Sequence, residues 1–135
     1  MMQARKTNPR AEHRLRRSAR VEASPSLAEV FPKLKALTVN VEFFDPSGNT
    51  RAGGMKYKPN LEKAKSAMCF DCPSGECVGG DYEVSQELRR AIAAKKTVVS
   101  GELKCQGMRH KPKQEPIKCQ NLLRYELRLS YQKGR

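Results

Sequence analysis

Four cysteines constrain this chain more than any other feature, because each lies beside residues typical of a chain reversal. Cys72 and Cys77 enclose a Pro-Ser-Gly-Glu turn, Cys105 precedes a Gln-Gly pair, and Cys119 follows a loop of thirteen residues. Two sulfurs from one turn bind a tetrahedral ion well when about two to four residues separate them. Four residues separate Cys72 from Cys77. We therefore predict a structural zinc ion bound by Cys72, Cys77, Cys105 and Cys119.

Strand alternation distinguishes the fifth cysteine, Cys69, from the four predicted ligands. Met68 and Phe70 have the same parity as Cys72, so in an extended chain these three side chains point to one face. Cys69 then points to the other face, and we expect it not to be a ligand. If it lies beside Lys65 or an arginine, its pKa would fall and the thiol would be redox-sensitive.

Two other ligand sets remain open. The spacing Cys69-x-x-Cys72 is tighter than the one between Cys72 and Cys77, and His110 lies close enough to Cys105 to replace Cys119. Disulfide bonds or unbound buried thiols are the alternatives to a metal site. Disulfides need an oxidising compartment. The first residues are charged and contain no apolar run of seven, so we expect no signal peptide and a reducing, cytoplasmic location.

Composition indicates one small domain with a marginal core. The chain has 135 residues, 38% of them hydrophobic and 6% aromatic, with a mean hydropathy of −0.74. A metal cross-link is a usual supplement to so small an apolar interior. No segment approaches the ~20 apolar residues of a membrane span, so we expect no membrane partner.

The net charge of +13 indicates a partner with negative charge. Residues 1–36 contain nine basic and three acidic side chains, and residues 37–135 contain eighteen and eleven. The excess is therefore +6 in the first segment and +7 in the second. A polyanion such as nucleic acid, or an acidic protein surface, fits this balance.

We divide the chain into a basic tail, residues 1–36, and a folded domain, residues 37–135. The tail has little to bury and should be largely disordered when free, with a helical turn near 27–31. On a partner it would become helical from about Ala11 to Val21. Two alternative roles for the tail are that of a solvated segment that aids solubility and that of a mitochondrial presequence.

The hydrophobic pattern predicts an α+β domain with a mainly antiparallel sheet of four or five strands, one helix and the zinc knuckle at the sheet end. The helix has the stripe Val84, Leu88, Ala91 and Ile92, with Ser85 as its N-terminal cap. The predicted strands are 37–43, 54–58 with Met55 and Tyr57 inward, 65–71, a strand from Thr97 to Cys105, and 123–131. Continuing the last alternation backwards places Cys119 and Ile117 on the inward face.

Catalysis is not expected. The chain has only two histidines, so it offers few candidates for the general base of a catalytic nucleophile–base pair. The segment Gly79-Gly80-Asp81 is too short for a phosphate-binding loop. A zinc ion with four thiolates has no open position for water, so it would be structural. We expect no small-molecule substrate.

Nucleic-acid binding is the function that the charge pattern favours. RNA or the ribosome is a better candidate than a specific DNA sequence, because no finger helix or helix-turn-helix is predicted to enter a major groove. The rival is an adaptor that binds an acidic protein. The predicted contacts are Arg14, Arg16, Arg17, Arg20, Arg89, Arg90, Arg109, Lys111 and Lys113.

The two turns resemble pieces of zinc ribbons and related knuckles. Cys72-Pro73 with Cys77, and Cys105 with Gly107, carry this resemblance over about a third of the chain. It is specific to no single family. The first spacing is longer than the ribbon's, the second pair is thirteen residues apart, and a helix lies between, so no activity is carried over.

Overall fold

The computed structural model describes residues 9–110 and 113–133. This part of the chain is α+β, as predicted, with antiparallel sheets and three helices. The helices are α1 Pro9–Ala23, α2 Leu27–Val30 and α3 Ser85–Ala93. The strands are β1 Leu34–Phe44, β2 Arg51–Tyr57, β3 Cys69–Asp71, β4 Cys77–Val78, β5 Asp81–Glu83, β6 Val98–Lys104, β7 Met108–Arg109, β8 Ile117–Lys118 and β9 Leu122–Tyr131.

The main sheet has four antiparallel strands in the order β2-β1-β9-β6. Its centre is Leu127 of β9, which lies opposite Val39 of β1 on one side and Val99 of β6 on the other. Alternation along β1 and β9 buries one face and leaves polar residues on the other. The buried residues of these two strands are Leu34, Leu37, Val39, Val41, Phe43, Leu122, Leu123, Tyr125, Leu127 and Leu129.

The prediction of a single sheet was only partly right. β3 pairs with β5 in a two-stranded ribbon, and β4, β7 and β8 form a second small sheet. The predicted strand 65–71 shortens to Cys69–Asp71, and it does not join the main sheet. These strands are two or three residues long, so periodicity does not reveal which neighbours they pair with.

Helix α3 carries the predicted apolar stripe, with Leu88 and Ala91 buried. The predicted cap was wrong: the N-cap residue is Val84, and no side chain caps the helix. The Ser85 hydroxyl instead donates to a carboxylate oxygen of Glu83 and accepts from the backbone N–H of Met68. These bonds tie the start of α3 to the β3–β5 ribbon.

The N-terminal segment is helical over the range that was predicted to become helical on a partner, about Ala11 to Val21. A helix, α1, spans Pro9–Ala23, and α2 lies where the helical turn was predicted. Ser26 caps α2 by accepting from the N–H of Glu29, and Leu27 is fully buried. Strand β1 begins at Leu34, three residues before the predicted start. The basic side chains of α1 meet carboxylates of the ribbon, which composition alone does not reveal.

Two residues predicted to point inward are exposed. Met55, on the edge strand β2, is 47% exposed, and Ile117 is 57% exposed. β8 pairs with β7 and not with the main sheet, and Gln120 has a φ of +55°. That left-handed residue breaks the alternation that was extrapolated backwards from β9. Among the described residues, no helix has the length and apolar character needed to cross a membrane.

We predict that Leu127→Ala lowers the free energy of unfolding by about 2–5 kcal/mol, because it leaves a cavity at the centre of the sheet. Leu127 is fully buried, whereas Leu15 of α1 is 71% exposed. Leu15→Ala is the matched control and should change stability by less than about 0.5 kcal/mol. Urea unfolding measures both. Equal effects of the two substitutions would contradict this packing.

Candidate metal centre

The four predicted cysteines are brought together by short hydrogen-bonded turns. In the first turn, the N–H of Cys72 donates to the carbonyl of Gly80 at 3.2 Å, and that of Cys77 donates to Ser74 at 3.3 Å. Both sulfurs therefore face one side of the segment between β3 and β5. The chain reversal predicted around Pro73 and Gly75 is thus formed.

The other two cysteines meet because β6, which ends just before Cys105, and β9, which begins soon after Cys119, are antiparallel neighbours. The N–H of Cys105 donates to the carbonyl of Asn121 at 2.8 Å, and that of Cys119 donates to Gly107 at 2.9 Å. The end of β6 and the segment before β9 are thereby held side by side. Residues separated by a long basic loop become neighbours.

All four sulfurs form one compact, buried group. The Sγ atoms of Cys72, Cys77, Cys105 and Cys119 lie within 4.8 Å of one another, and each residue is at most 3% exposed. The Cys72–Cys119 sulfur distance is 3.6 Å, and the Cys77–Cys105 distance is 3.5 Å. A disulfide bond is about 2.05 Å. A tetrahedron with zinc–sulfur bonds of ~2.3 Å has edges of about 3.8 Å. This group could hold a metal ion.

Two glycines allow the backbone to approach the sulfurs closely. A Cβ atom at Gly80 would lie 2.3 Å from the sulfur of Cys77 and 2.5 Å from that of Cys105. A Cβ at Gly107 would lie 2.5 Å from the sulfur of Cys77. Side chains are therefore excluded at both positions. From the sequence, the Gly79-Gly80 pair was excluded as a phosphate-binding loop and given no other role, although glycines near cysteines are a usable signal of such packing.

Hydrogen-bond donors surround the sulfurs. The N–H of Gly107 donates to Cys105 Sγ at 3.4 Å, and Asn121 Nδ2 lies 3.8 Å from Cys72 Sγ. Asn121 is itself buried, and its carbonyl accepts from the Tyr82 hydroxyl at 3.0 Å. Such outer contacts orient thiolates and spread their charge. Sequence analysis missed Asn121 and Tyr82, because neither residue type is a metal ligand in this setting.

Arg109 lies beside the cluster. Sequence analysis placed it among the nucleic-acid contacts, but its guanidinium donates to Asn121 Oδ1. A hydrogen bond to Cys119 raises the pKa of Arg109, and burial opposes that shift. Its Nε is buried and has no hydrogen-bond partner among the described residues. Arg109 therefore supplies positive charge next to the sulfurs, where four thiolates would concentrate negative charge.

The thiols perturb one another strongly. Hydrogen bonds, chiefly from Cys105, lower the pKa of Cys72 to about 5. Burial raises the pKa of Cys77 to about 12, and the hydrogen bond to Cys72, together with burial, raises that of Cys105. The neighbouring thiols thus stabilise one thiolate and disfavour a second. Four thiolates at this distance require a cation between them.

The group of four includes neither Cys69 nor His110. Cys69 points to the opposite face of β3, as alternation predicted, and it is half-buried. The lowered pKa considered for a Cys69 beside an arginine does not occur: burial, with the nearby Asp81 and Glu83 carboxylates, raises the pKa of Cys69 to about 12. The N–H of His110 donates to the backbone of Glu76 at 3.0 Å.

The remaining predicted nucleic-acid contacts are distributed over α1, α3 and the β7–β8 hairpin. Arg14 and Arg17 pair with Asp71, Arg20 with Glu83, Arg16 with Glu12, and Arg90 with Glu87. Arg20 and Arg89 line one surface depression of about 360 Å³. Lys113, with a φ of +62°, is exposed in the hairpin loop. Lys111 lies outside the described residues.

Comparison with known proteins adds no assignment. No protein-family model, curated protein or solved structure matches this chain.

We predict that Gly80→Ala abolishes or strongly weakens metal binding, because its Cβ would occupy space taken by two sulfurs. The neighbouring Gly79→Ala is the control. Gly79 has a φ of +75°, so alanine is strained there, but no atom lies within 4 Å of the added Cβ. Gly79→Ala should lower stability by about 1 kcal/mol and keep the metal. Zinc titration with a chromogenic competitor measures both, and equal affinities would contradict the packing.

Proposed function

We propose that Cys72, Cys77, Cys105 and Cys119 hold a structural zinc ion in a non-catalytic protein that binds nucleic acid. The observation that carries the metal assignment is the closed, buried group of four sulfurs. Sulfur ligands in tetrahedral array suit zinc, with iron as the other metal of similar preference. Four protein ligands leave no position for water or substrate, so the ion would stabilise and not catalyse.

The sulfur group connects segments that have few other stabilising interactions with one another. β3, β4, β5, β7 and β8 are each two or three residues long, and together they form only two small sheets. A metal ion bound by four sulfurs would cross-link these strands to the end of β6. Binding free energy at such sites contributes directly to folding. Thiolate ligands also require a reducing compartment, which supports a cytoplasmic location.

The support for nucleic acid is electrostatic. The net charge is +13 with the cysteines counted as neutral. Four thiolates and one Zn²⁺ ion together carry a charge of about −2, so the zinc-loaded chain would remain strongly positive. Basic side chains are concentrated on two helices, with Arg14, Arg16, Arg17 and Arg20 on α1 and Arg89 and Arg90 on α3. The buried stripe of α3 packs on the sheet, so α3 is not presented as a major-groove helix. RNA is therefore the favoured partner.

Metal analysis tests the first part of the proposal. We expect one zinc per chain in the protein purified without added metal, and less than half of that when any one of the four cysteines is changed to serine. Loss of the ion should lower the melting temperature by about 10 °C or more, because its binding energy is part of the folding energy. Cys69→Ser should retain both the zinc and the melting temperature. Iron in place of zinc, or full metal content after Cys105→Ser, would contradict the assignment.

Electrophoretic mobility shift tests the second part. The zinc-loaded protein should bind single-stranded RNA more tightly than a matched DNA duplex, with affinity that falls as salt rises. Changing Arg14, Arg16, Arg17 and Arg20 to glutamine should weaken binding about tenfold and reduce the salt dependence. The matched control changes four basic residues of the open sheet face to glutamine: Arg51, Lys104, Arg124 and Arg128.

Absence of binding at ~50 mM salt by the zinc-loaded protein would end the nucleic-acid proposal. Equal losses in the two fourfold variants would show that only net charge matters. An acidic protein partner would reveal itself differently, because its capture from an extract would survive nuclease treatment.

A further inference from the structure

The β3–β5 ribbon has one apolar face and one acidic face. Phe70 and Tyr82 are opposite one another in the register and are buried. Asp71 lies opposite Asp81, and Cys69 lies opposite Glu83, all on the other face. We call Asp71, Asp81 and Glu83 the acidic ribbon face. Three carboxylates on neighbouring strands repel one another unless cations lie against them.

Helix α1 supplies those cations. Arg14 Nε lies 3.7 Å from an oxygen of Asp71, and Arg17 forms a hydrogen-bonded ion pair with the same carboxylate. Arg20 Nη2 lies 3.1 Å from Glu83, and His13 Nε2 lies 3.2 Å from Asp81. Spacings of three and four residues put these side chains on one helix face. The hydrogen bond to Asp71 raises the pKa of Arg17, although burial opposes it.

Apolar packing contributes little to this contact. Among the side chains of residues 11–23, none is buried, and Leu15 points into solvent. Arg17 is the best covered of the paired side chains, at 11% exposed, whereas Arg14 and Arg20 are about half-exposed. Ion pairs of that exposure are weak and are screened by salt. Val21, near the C-terminal end of α1, is half-buried and lines a small depression with Leu27, Met68 and Phe70. The arginine-bearing part of the helix that precedes it is held on the ribbon by charge.

We infer that the acidic ribbon face competes with nucleic-acid phosphates for α1, so that binding displaces the helix from the ribbon. Guanidinium groups bind carboxylates and phosphates through the same donors. A phosphate backbone offers a longer array of negative charge than three carboxylates do. An arginine paired with Asp71 or Glu83 cannot use those donors for RNA. Docking of α1 on the ribbon and binding of RNA are therefore linked equilibria. This inference rests on the proposed RNA binding, but docking of α1 can be measured separately.

Cys69 is a native reporter of that docking. Its sulfur lies 3.7 Å from Arg20 Nη2, on the ribbon face that α1 covers. It is also the one cysteine outside the group of four. Release of α1 should therefore expose its thiol to an alkylating reagent. Peptide mass spectrometry distinguishes its modification from that of the other cysteines.

The experiment measures iodoacetamide labelling of Cys69 and affinity for a single-stranded RNA, on the full zinc-loaded chain. Because Glu83 also raises the pKa of Cys69, labelling is compared as the rate constant of the thiolate, taken from the pH dependence of the rate in each variant. On that scale, Asp71→Asn with Glu83→Gln should speed labelling several-fold and tighten RNA binding about three- to tenfold, since two carboxylates no longer compete. The control, Glu102→Gln with Glu126→Gln, makes the same change in net charge. Its carboxylates pair with Arg124 and Arg128, away from α1. In this control, labelling of Cys69 should stay unchanged, and RNA affinity should rise less than in the Asp71/Glu83 variant.

Substitutions on the α1 side of the contact should change RNA affinity in the opposite direction. Arg17→Gln with Arg20→Gln should also speed labelling of Cys69, but it should weaken RNA binding. This variant keeps Asp71, the neighbour of Cys72, unchanged, so its zinc content should be intact. Added RNA should speed labelling of the unmodified protein, because displacement uncovers the ribbon.

The outcomes separate the two proposals. If RNA binds but the acidic-side variant neither labels faster nor binds more tightly than its control, the competition is overturned and RNA binding stands. If RNA slows or does not change labelling of the unmodified protein, displacement is overturned. If no variant binds RNA while labelling rises with salt, the proposed function fails and the competition with it, and only electrostatic docking of α1 remains.

Discussion

The close approach of four buried sulfurs, which together could hold one metal ion, is the interaction on which the region around them depends. Two of them come from the turn after β3, one from the end of β6 and one from the segment before β9. The small sheets around them have too few residues to be stable by backbone pairing alone. The main sheet can bury its own apolar face, but the region that carries the ribbon and the hairpin depends on the sulfur group.

Close packing around the sulfurs explains residues that otherwise look ordinary. Gly80 and Gly107 leave room for the sulfurs, while Asn121 and Arg109 supply hydrogen bonds and positive charge. Two negative charges in excess of a divalent ion are costly in a buried site unless donors surround them. Arg109 therefore lies against the sulfur group, although by charge alone it resembled the lysines of the neighbouring loop.

A second electrostatic balance operates on the far side of the ribbon. One face of β3 and β5 contributes Phe70 and Tyr82 to the core, and the other presents carboxylates to the arginines of α1. Strand β3 thus lies directly before Cys72 of the sulfur group, and its Asp71 pairs with arginines of α1. A strongly cationic chain keeps part of its charge in internal pairs in this way. The helix that carries the densest arginine cluster is also the one with the least apolar attachment.

Long periodic elements could be predicted from sequence, and short ones could not. The alternation in β1 and β9 and the stripe of α3 extend over enough residues to define an inward face. In contrast, Met55 and Ile117 match the same apolar pattern and are exposed. Their strands lie at a sheet edge or in a separate hairpin, and periodicity carries no information about what covers a face.

The sequence by itself separated Cys69 from Cys72, because parity along an extended chain is a local property. It also determined that the chain would be α+β, since strand and helix periods are read within a few residues. Only the tertiary structure decided that Arg109 faces the sulfurs, that α1 lies on carboxylates, and that Cys69 has a raised pKa. Those outcomes depend on groups distant in sequence, and the energy of a charge is set by whatever surrounds it in space.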